Sequence, residues 1–466
     1  MAVVALLLVW LAWLPMPFGS VTDAAQPALI LPPLLICAAA ALLRFRQPML
    51  APRALKVWGA GALAFALVVA AQLLPLPDFL LRPLSPESYR IWSDAARIAA
   101  MALQSPQPAV HPITVDPATT SAHLFRLLAY AATFIASALL LDRHRRRYAL
   151  VIVLSLAAVF EATYGVREAA LHRYAIWGWV NTLIFNRVTG TFVNPNHFAH
   201  YAAIVLPMAL YIAAAAWHDA APRTAPLRYR IVRLVETKLI PFGFGFVAAF
   251  ACMTAILVAQ SRGALLSAVA GLALVAAISS GRRHAVRRAA LIVVAAAMMV
   301  ALIVYVAGAQ RTLGRLRGIT SGEAAALGGR GDDMRAAFAI WELFPIFGSG
   351  LGTFADVVSI TGIGTPELVI NHAHNDYAEI AATTGALGLI ASLVPFLAGI
   401  FALARSAFRP RGPELSWSRQ AFQVAALASL LIAMIHALVD FNFFIPANPA
   451  TLAAIAGAAV AVTVPR

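Results

Sequence analysis

"INHAHNDYAEIAATTGALGLI", residues 370–390, sets two histidines, two asparagines and two acids directly ahead of an apolar, helix-forming run. Asn375 is a natural helix N-cap. Asp376 and Glu379 fall in the first turn, where acids complement the helix dipole. The run beyond passes through Gly385 and Gly388, whose lack of side chains admits a closely packed neighbour. The use of such a cluster depends on where its helix lies, and the remainder of the chain answers that first.

The chain has 466 residues, of which 61% are hydrophobic and 12% charged. Soluble domains carry about 25% charge. Apolar runs recur from end to end, each near the ~20 residues that cross a bilayer as helix. Spanning segments must be helices or a closed barrel, and runs this uniformly apolar exclude the barrel. The expected class is an all-α integral membrane protein of about 12 transmembrane helices, at 1–17, 27–43, 55–76, 122–141, 148–166, 198–217, 239–259, 264–280, 289–309, 376–404, 421–442 and 447–464. Residues 1–17 lack a basic leader and read as a first span rather than a cleaved signal.

A net charge of +15 on a soluble chain would suggest nucleic acid; here it is topological. Arginine supplies almost all of it, Lys56 and Lys238 being the only lysines. The basic residues cluster in alternate loops: Arg44 to Lys56, Arg143 to Arg147, Arg223 to Lys238, Arg282 to Arg288, and Arg405 to Arg419. These loops are expected in the cytoplasm, with both termini. Cys37 and Cys252 lie inside apolar runs and indicate neither a disulfide framework nor a thiolate metal site.

The other loops carry isolated arginines, which that rule does not explain. Arg187 lies in "FNRVTGTFVNPNHFAHYAA" (185–203), where Gly190 and Pro195 break the backbone and Asn196 reads as the cap of the next helix. Arg262 stands in the tight turn "AQSRGALLS" (259–267). Arg330 precedes a short helix that reads as capped by Asp332 or Asp333 and stopped by Pro345. Arginine offers a planar fork of donors matched to phosphate oxygens, and helix N-termini add unpaired N–H groups. Each arginine taken singly also fits snorkelling to headgroups or pairing with an acid. His374, just outside a helix N-terminus at the membrane boundary, can act as a general base on a hydroxyl or serve as a structural cap. A metal pair with His372 lacks a third strong ligand.

Five stretches, in order, resemble the O-antigen ligase and Wzy-type polymerase superfamily of lipid-linked oligosaccharide transferases. They are "RVTGTFVNPNHFA" (187–199), "SRGALLS" (261–267), "GR" fifteen positions before "PIFGSGLGTF" (345–354), "HNDYAEIAATTGALGL" (374–389) and "HALVDFNFFIPANPA" (436–450). The resemblance covers roughly residues 120–460 and divides the chain into N-terminal spans with a first periplasmic loop (1–121) and a ligase-like core (122–466). It implies a GT-C-like enzyme of the bacterial inner membrane, with a large periplasmic loop at 310–375 containing short helices. Such enzymes move a glycan from undecaprenyl diphosphate to an acceptor hydroxyl, without cofactor, metal or nucleic acid. Ligases use lipid A–core, polymerases another lipid-linked repeat, and a related branch proteins. By matching motifs, Arg187, Arg262 and Arg330 correspond to the family's periplasmic arginines and His374 to its essential histidine, with Asn196, Asn375, Asp376 and Glu379 in support.

A transporter or flippase is the non-enzyme rival, and it predicts polar residues at mid-span. The mid-span regions are nearly bare of charge, apart from candidates such as Glu161 and His436 toward span ends. The outer segment 77–121 reads as helical around 86–103 and then extended, and "HRYAIWGWVNTLIFNR" (172–187), with Trp177 and Trp179, as an interfacial belt.

Overall fold

The computed structural model describes residues 1–47, 50–103, 110–180, 187–279, 325–363, 370–409 and 417–461. Among them eight helices are long and apolar enough to cross a membrane. These are α2 (Gln26–Arg44), α3 (Arg53–Gln72), α6 (Pro117–Leu140), α7 (His144–Ala170), α8 (Pro195–Ala220), α9 (Leu227–Val258), α13 (Asp376–Ala407) and α14 (Trp417–His436). Shorter helices are α1 (Ala2–Trp13), α4 (Asp78–Leu84), α5 (Pro86–Leu103), α10 (Arg262–Ser279), α11 (Ala325–Leu343), α12 (Phe354–Val357) and α15 (Ala447–Ala459). The only strands among the described residues form two two-residue antiparallel pairs.

Eight of the twelve expected spans are matched by these helices. The runs at 1–17, 264–280 and 447–464 correspond to the shorter α1, α10 and α15, and 289–309 lies outside the described residues. Pro15 and Pro17 stop α1 early, because proline lacks the N–H that the next turn needs. The run 421–442 leaves the helix at His436, and residues 437–446 form an irregular bridge to α15. Helix α5 lies where helix was expected at 86–103.

Helix α8 is the most enclosed span, 83% of its apolar window being buried, and α7, α9, α10 and α14 pack around it. Lipid-facing sides remain apolar and exposed, as at Leu31, Leu35, Phe246, Ile390 and Phe401. The loops sort to opposite ends of the bundle. Arg44 pairs with Asp142 at 2.6 Å, and Ser418 meets His144, gathering the arginine-rich loops after α2, between α6 and α7 and before α14 at one end. The bridge 437–446 meets the starts of α8, α10 and α13 at the other.

At that second end α13 is broken. Gly385 has φ +64° and ψ −170°, so 376–384 and 386–407 are separate helical pieces. The chain 345–350 inserts at the break. N–H groups of Ser349 and Gly350 donate to the carbonyls of Ala382 and Thr383, and those of Ala386 and Leu387 donate to Pro345 and Ile346. The Gln72 amide completes the joint: Nε2 donates to Phe347 and Thr383 carbonyls at 2.6 and 2.8 Å, and Oε1 accepts from Leu351 N–H at 3.1 Å. Buried backbone groups freed by a helix break must find partners, and the carbonyls of Ala382 and Thr383 and the N–H groups of Ala386 and Leu387 find theirs in this insert.

The continuous helix read from 376 onward is therefore corrected, as is the role given to Gly388. The nearest atoms a Cβ at Gly388 would meet belong to Thr384 of its own helix, whereas one at Gly61 would stand 2.3 Å from Pro395 and one at Gly399 2.0 Å from Trp58. Those two glycines, not Gly388, let α3 approach α13. Segment 110–116 supports the insert from outside, with Val115 N–H donating to the Ser349 carbonyl at 2.9 Å. Asp116 caps α6 by accepting from Ala118 and Thr119 N–H.

A Cβ at Gly385 would lie 2.2 Å from the Ile346 carbonyl, in a backbone region reserved to glycine. Gly385→Ala is expected to cost at least about 1–3 kcal/mol. Gly59, whose Cβ position is open, tolerates alanine unchanged or slightly stabilised. Thermal unfolding of the two variants in detergent, read by monodispersity, checks the contrast.

Candidate active site

The first turn of α13 is docked on the bridge 437–446. Asn375 caps α13 as expected, its Oδ1 accepting from Ala378 N–H at 3.0 Å while its Nδ2 donates to the Leu438 carbonyl. The Asp376 N–H donates to the carbonyls of Ala437 and Asp440, and its Oδ1 accepts from Phe443 N–H at 3.1 Å. Glu379, also buried, accepts from His372 Nδ1 at 2.7 Å and from Ala373 N–H at 2.9 Å. The two acids thus do more than complement a dipole: they fasten the segment carrying His374 to the bundle.

His374 adopts φ +49°, a left-handed conformation uncommon for a residue with a side chain. Its Nδ1 faces Asp440 Oδ1 at 3.4 Å, and its ring stands edge-on to Phe441, centroids 4.9 Å apart. Burial alone would raise the Asp440 carboxyl, but the hydrogen bond from His374 and the positive field of His197, His436 and His374 outweigh it. The carboxyl is held well below the usual carboxylate range. An ionised Asp440 accepts Nδ1–H, which leaves the lone pair on Nε2. That nitrogen lies 3.9 Å from Asp333 Oδ2, beyond hydrogen-bond reach, and has no hydrogen-bond partner among the described residues. A base held in one tautomer by a carboxylate is competent to take a proton from a hydroxyl.

Arg262 is the first residue of α10 and is exposed. Among the described residues nothing hydrogen-bonds or pairs with its guanidinium. Gly263 beside it packs on the bridge, for a Cβ there would lie 2.8 Å from His436 Nε2 and 3.1 Å from Val439. Arg262 therefore projects from a turn seated one residue from Asp440.

Arg187 is differently employed. Its Nε and Nη2 donate to the Ala259 carbonyl at 3.1 and 2.8 Å, and Nη2 also donates to Asn196 Oδ1 at 2.9 Å. It ties the end of α9, and so the turn bearing Arg262, to the start of α8. The cap of α8 is corrected from Asn196 to Asn194, whose side chain accepts from Asn196 N–H. Pro195 at the first helical position places Asn196 two residues past the cap, freeing its oxygen for Arg187. The loop before it is pinned where Gly190, φ +55°, passes Glu161; Thr191 N–H and Oγ1 donate to that buried carboxylate at 2.8 and 2.7 Å.

Arg330 does not precede a helix but lies within α11, which starts at Ala325, so neither Asp332 nor Asp333 caps it. The apolar face Ala336, Ala337, Ile340 and Phe344 packs on Phe354, Val357 and Ala373, and this anchored half carries the helix back through Gly331. Asp332 instead pairs with Arg335, and Asp333 turns toward His374. The Arg330 side chain is outside the described residues. Asp440 was missed by the sequence reading, although it is one of only two acids after Glu379 and closes an apolar run. An acid in that position is itself a signal.

A polytopic helical membrane protein with a carboxylate-held histidine and an unpaired arginine at one end of its bundle is the class that this geometry defines. Residues 247–393 match the family model described as O-antigen ligase, which assigns this stretch to the O-antigen ligase/Wzy-type superfamily. The match spans Arg262, Arg330 and His374 and supports a multi-pass membrane enzyme of the ligase/polymerase kind. No curated protein matches the chain.

Asp440→Asn preserves shape but removes the acceptor that fixes the His374 tautomer. Turnover is expected to fall by at least about tenfold, toward the ~10²–10⁴ of losing a base outright. His374→Gln in the same background should add little, because the two residues act as a unit. Steady-state rates of the two single variants and the double variant check this.

Proposed function

We propose that the protein is a membrane glycosyltransferase that moves a glycan from undecaprenyl diphosphate to lipid A–core, an O-antigen ligation at the periplasmic face of the bacterial inner membrane. The observation that carries the reading is the pairing at one end of the bundle of His374, its Nδ1 held by Asp440, with the exposed, unpaired Arg262. That end lies opposite the arginine-rich loops, which supports its facing the periplasm with both termini in the cytoplasm.

In the proposed step, the acceptor oxygen attacks the anomeric carbon as its proton passes to His374 Nε2. The bond from that carbon to the diphosphate oxygen breaks, and its electron pair leaves on the diphosphate. Direct attack inverts the anomeric centre. Arg262, with Arg330, holds the diphosphate and stabilises its growing charge, a preorganised electrostatic contribution. Arg187 acts here mainly as a positioning residue, since its two identified contacts hold the Arg262 turn in place. A diphosphate is already a good leaving group, so the step requires no metal.

Deletion of the gene in its host should leave long polymer absent from lipid A–core and accumulating on undecaprenyl diphosphate. Cores capped with a single repeat, without long lipid-linked chains, would instead make the enzyme a polymerase. Unchanged lipopolysaccharide would point to an exopolysaccharide or protein acceptor. With purified protein, Arg262→Lys keeps the charge but loses the fork, and donor turnover should fall about tenfold or more. Full activity of Arg262→Lys would refute forked phosphate recognition there.

A further inference from the structure

A second cation stands on the other side of the bridge 437–446, in an apolar groove that the catalytic reading does not use. Arg126, on α6, lies four residues inside the expected span 122–141, about 6 Å below its start. Its guanidinium is oriented by two neutral acceptors. Gln26 Nε2 donates to the carbonyls of Ser20 and Thr22 at 3.2 and 3.1 Å, which turns Oε1 toward Arg126 Nε, 2.8 Å away. His123 Nδ1 donates to the Thr119 carbonyl at 2.9 Å, which leaves Nε2 to accept from Arg126 Nη1 at 3.3 Å. Among the described residues no acid pairs with Arg126, and Nη2 has no acceptor. A charge within the membrane needs a partner, and this one is held ready without it.

The groove beneath has a volume of about 280 Å3, with Phe65, Leu127, Leu351, Phe396 and Phe443 among its walls and Tyr130 further along. It shares Phe65, Leu127, Tyr130 and Phe396 with a second cavity of about 240 Å3 that continues past Phe134 to Trp58. From His123 to Phe134 the path follows eleven residues of α6, about 16 Å. That is close to the ~15 Å depth of one hydrocarbon leaflet. Simple snorkelling would explain a lone arginine at this depth. It would not explain two acceptors that fix the fork, nor an apolar channel leading from it.

The groove mouth adjoins the candidate site. Phe444 lies 6.1 Å from His123 and 5.5 Å from His372 between ring centroids, and Tyr377 of the first α13 turn forms part of the wall. Arg262 belongs to the opposite flank, since Gly263 packs on His436 and Val439. His374 packs against Asp440 and Phe441, which follow Val439 and precede Phe444 along the bridge.

We propose that this groove binds the acceptor as a phosphorylated lipid, its phosphate on Arg126 and one chain along the channel to Phe134 and Trp58. This rests on the glycosyl-transfer reading for the name of the lipid, but not for its chemistry. The donor diphosphate then meets Arg262 from one flank and the acceptor approaches from the other, with the His374 base between them.

Two measurements on the full chain in nanodiscs test it. In the first, wild type, Arg126→Gln and Leu127→Trp, which fills the groove and leaves Arg126 intact, are mixed with phosphatidic acid as a probe for a lipid phosphate and with phosphatidylcholine as the control. Bound lipid is counted by native mass spectrometry. Selective retention of phosphatidic acid by wild type, lost by about tenfold or more in both variants, is expected for one charge-assisted phosphate contact with a buried chain. Equal retention in all three proteins, or equal retention of the two lipids, overturns the groove as a phosphate-lipid site. In the second, the acceptor KM should rise about tenfold in Arg126→Gln while the donor KM is unchanged. A rise in donor KM alone would assign the groove to the donor and overturn the acceptor assignment. Wild type that binds phosphatidic acid selectively but transfers no glycan would defeat the functional reading and leave the lipid site standing.

Discussion

The break in α13 at Gly385 is the constraint on which the rest depends. An unbroken helix from Asp376 would carry its first turn on along the axis of 386–407, away from the bridge that follows α14. The break instead lets 376–384 set off on its own line, so that the N–H of Asp376 reaches the carbonyls of Ala437 and Asp440. Four backbone hydrogen bonds to the inserted chain, and one from Gln72 to the Thr383 carbonyl, replace bonds the helix forgoes, while two more Gln72 bonds hold the insert itself. Irregular backbone at membrane depth is tolerated only when its polar groups are satisfied by protein, and this joint meets that condition. Segment 110–116, which as sequence read as extended, is part of the same joint through Val115 and Ser349.

From that joint outward, the site is built from helix ends rather than from helix faces. The starts of α8, α10 and α13 converge on 437–446, and each contributes through its terminus. His197 Nδ1 meets Asn442 Oδ1 at 3.0 Å, Gly263 abuts His436, and Asn375 caps over Leu438. Helix termini leave unpaired N–H groups and a positive field, which suits an end of the bundle expected to handle phosphate. The buried acids Asp376, Glu379 and Glu161 are each bound to backbone N–H groups of a neighbouring loop and so rigidify the loops, while Asp440 faces the Nδ1 of His374.

Several features were legible because they follow from short-range rules. Capping by Asn375 and the helix at 86–103 needed only local chemistry, and the match of residues 247–393 agrees with the resemblance read from the motifs. The errors have two causes. Asn196 was read as a cap two residues too late, Asp332 and Asp333 as a helix start that their anchored helix overran, and Gly385 as a packing glycine rather than a break. The first was decided locally by Pro195, the other two by contacts distant in sequence.

Sequence by itself determined the class of the molecule. Apolar runs of bilayer length, and basic residues clustered in alternate loops, follow from the energetics of burying backbone and charge in hydrocarbon, which act on every segment independently. The tertiary structure alone decided which polar groups do chemistry. Arg187, Arg262 and Arg126 are indistinguishable as isolated arginines; one is held by Ala259 and Asn196, one is exposed, and one is oriented by Gln26 and His123 over an apolar groove. The role of an ion depends on the partners that reach it, and those partners lie up to 100 residues away in the chain, as Gln26 does from Arg126.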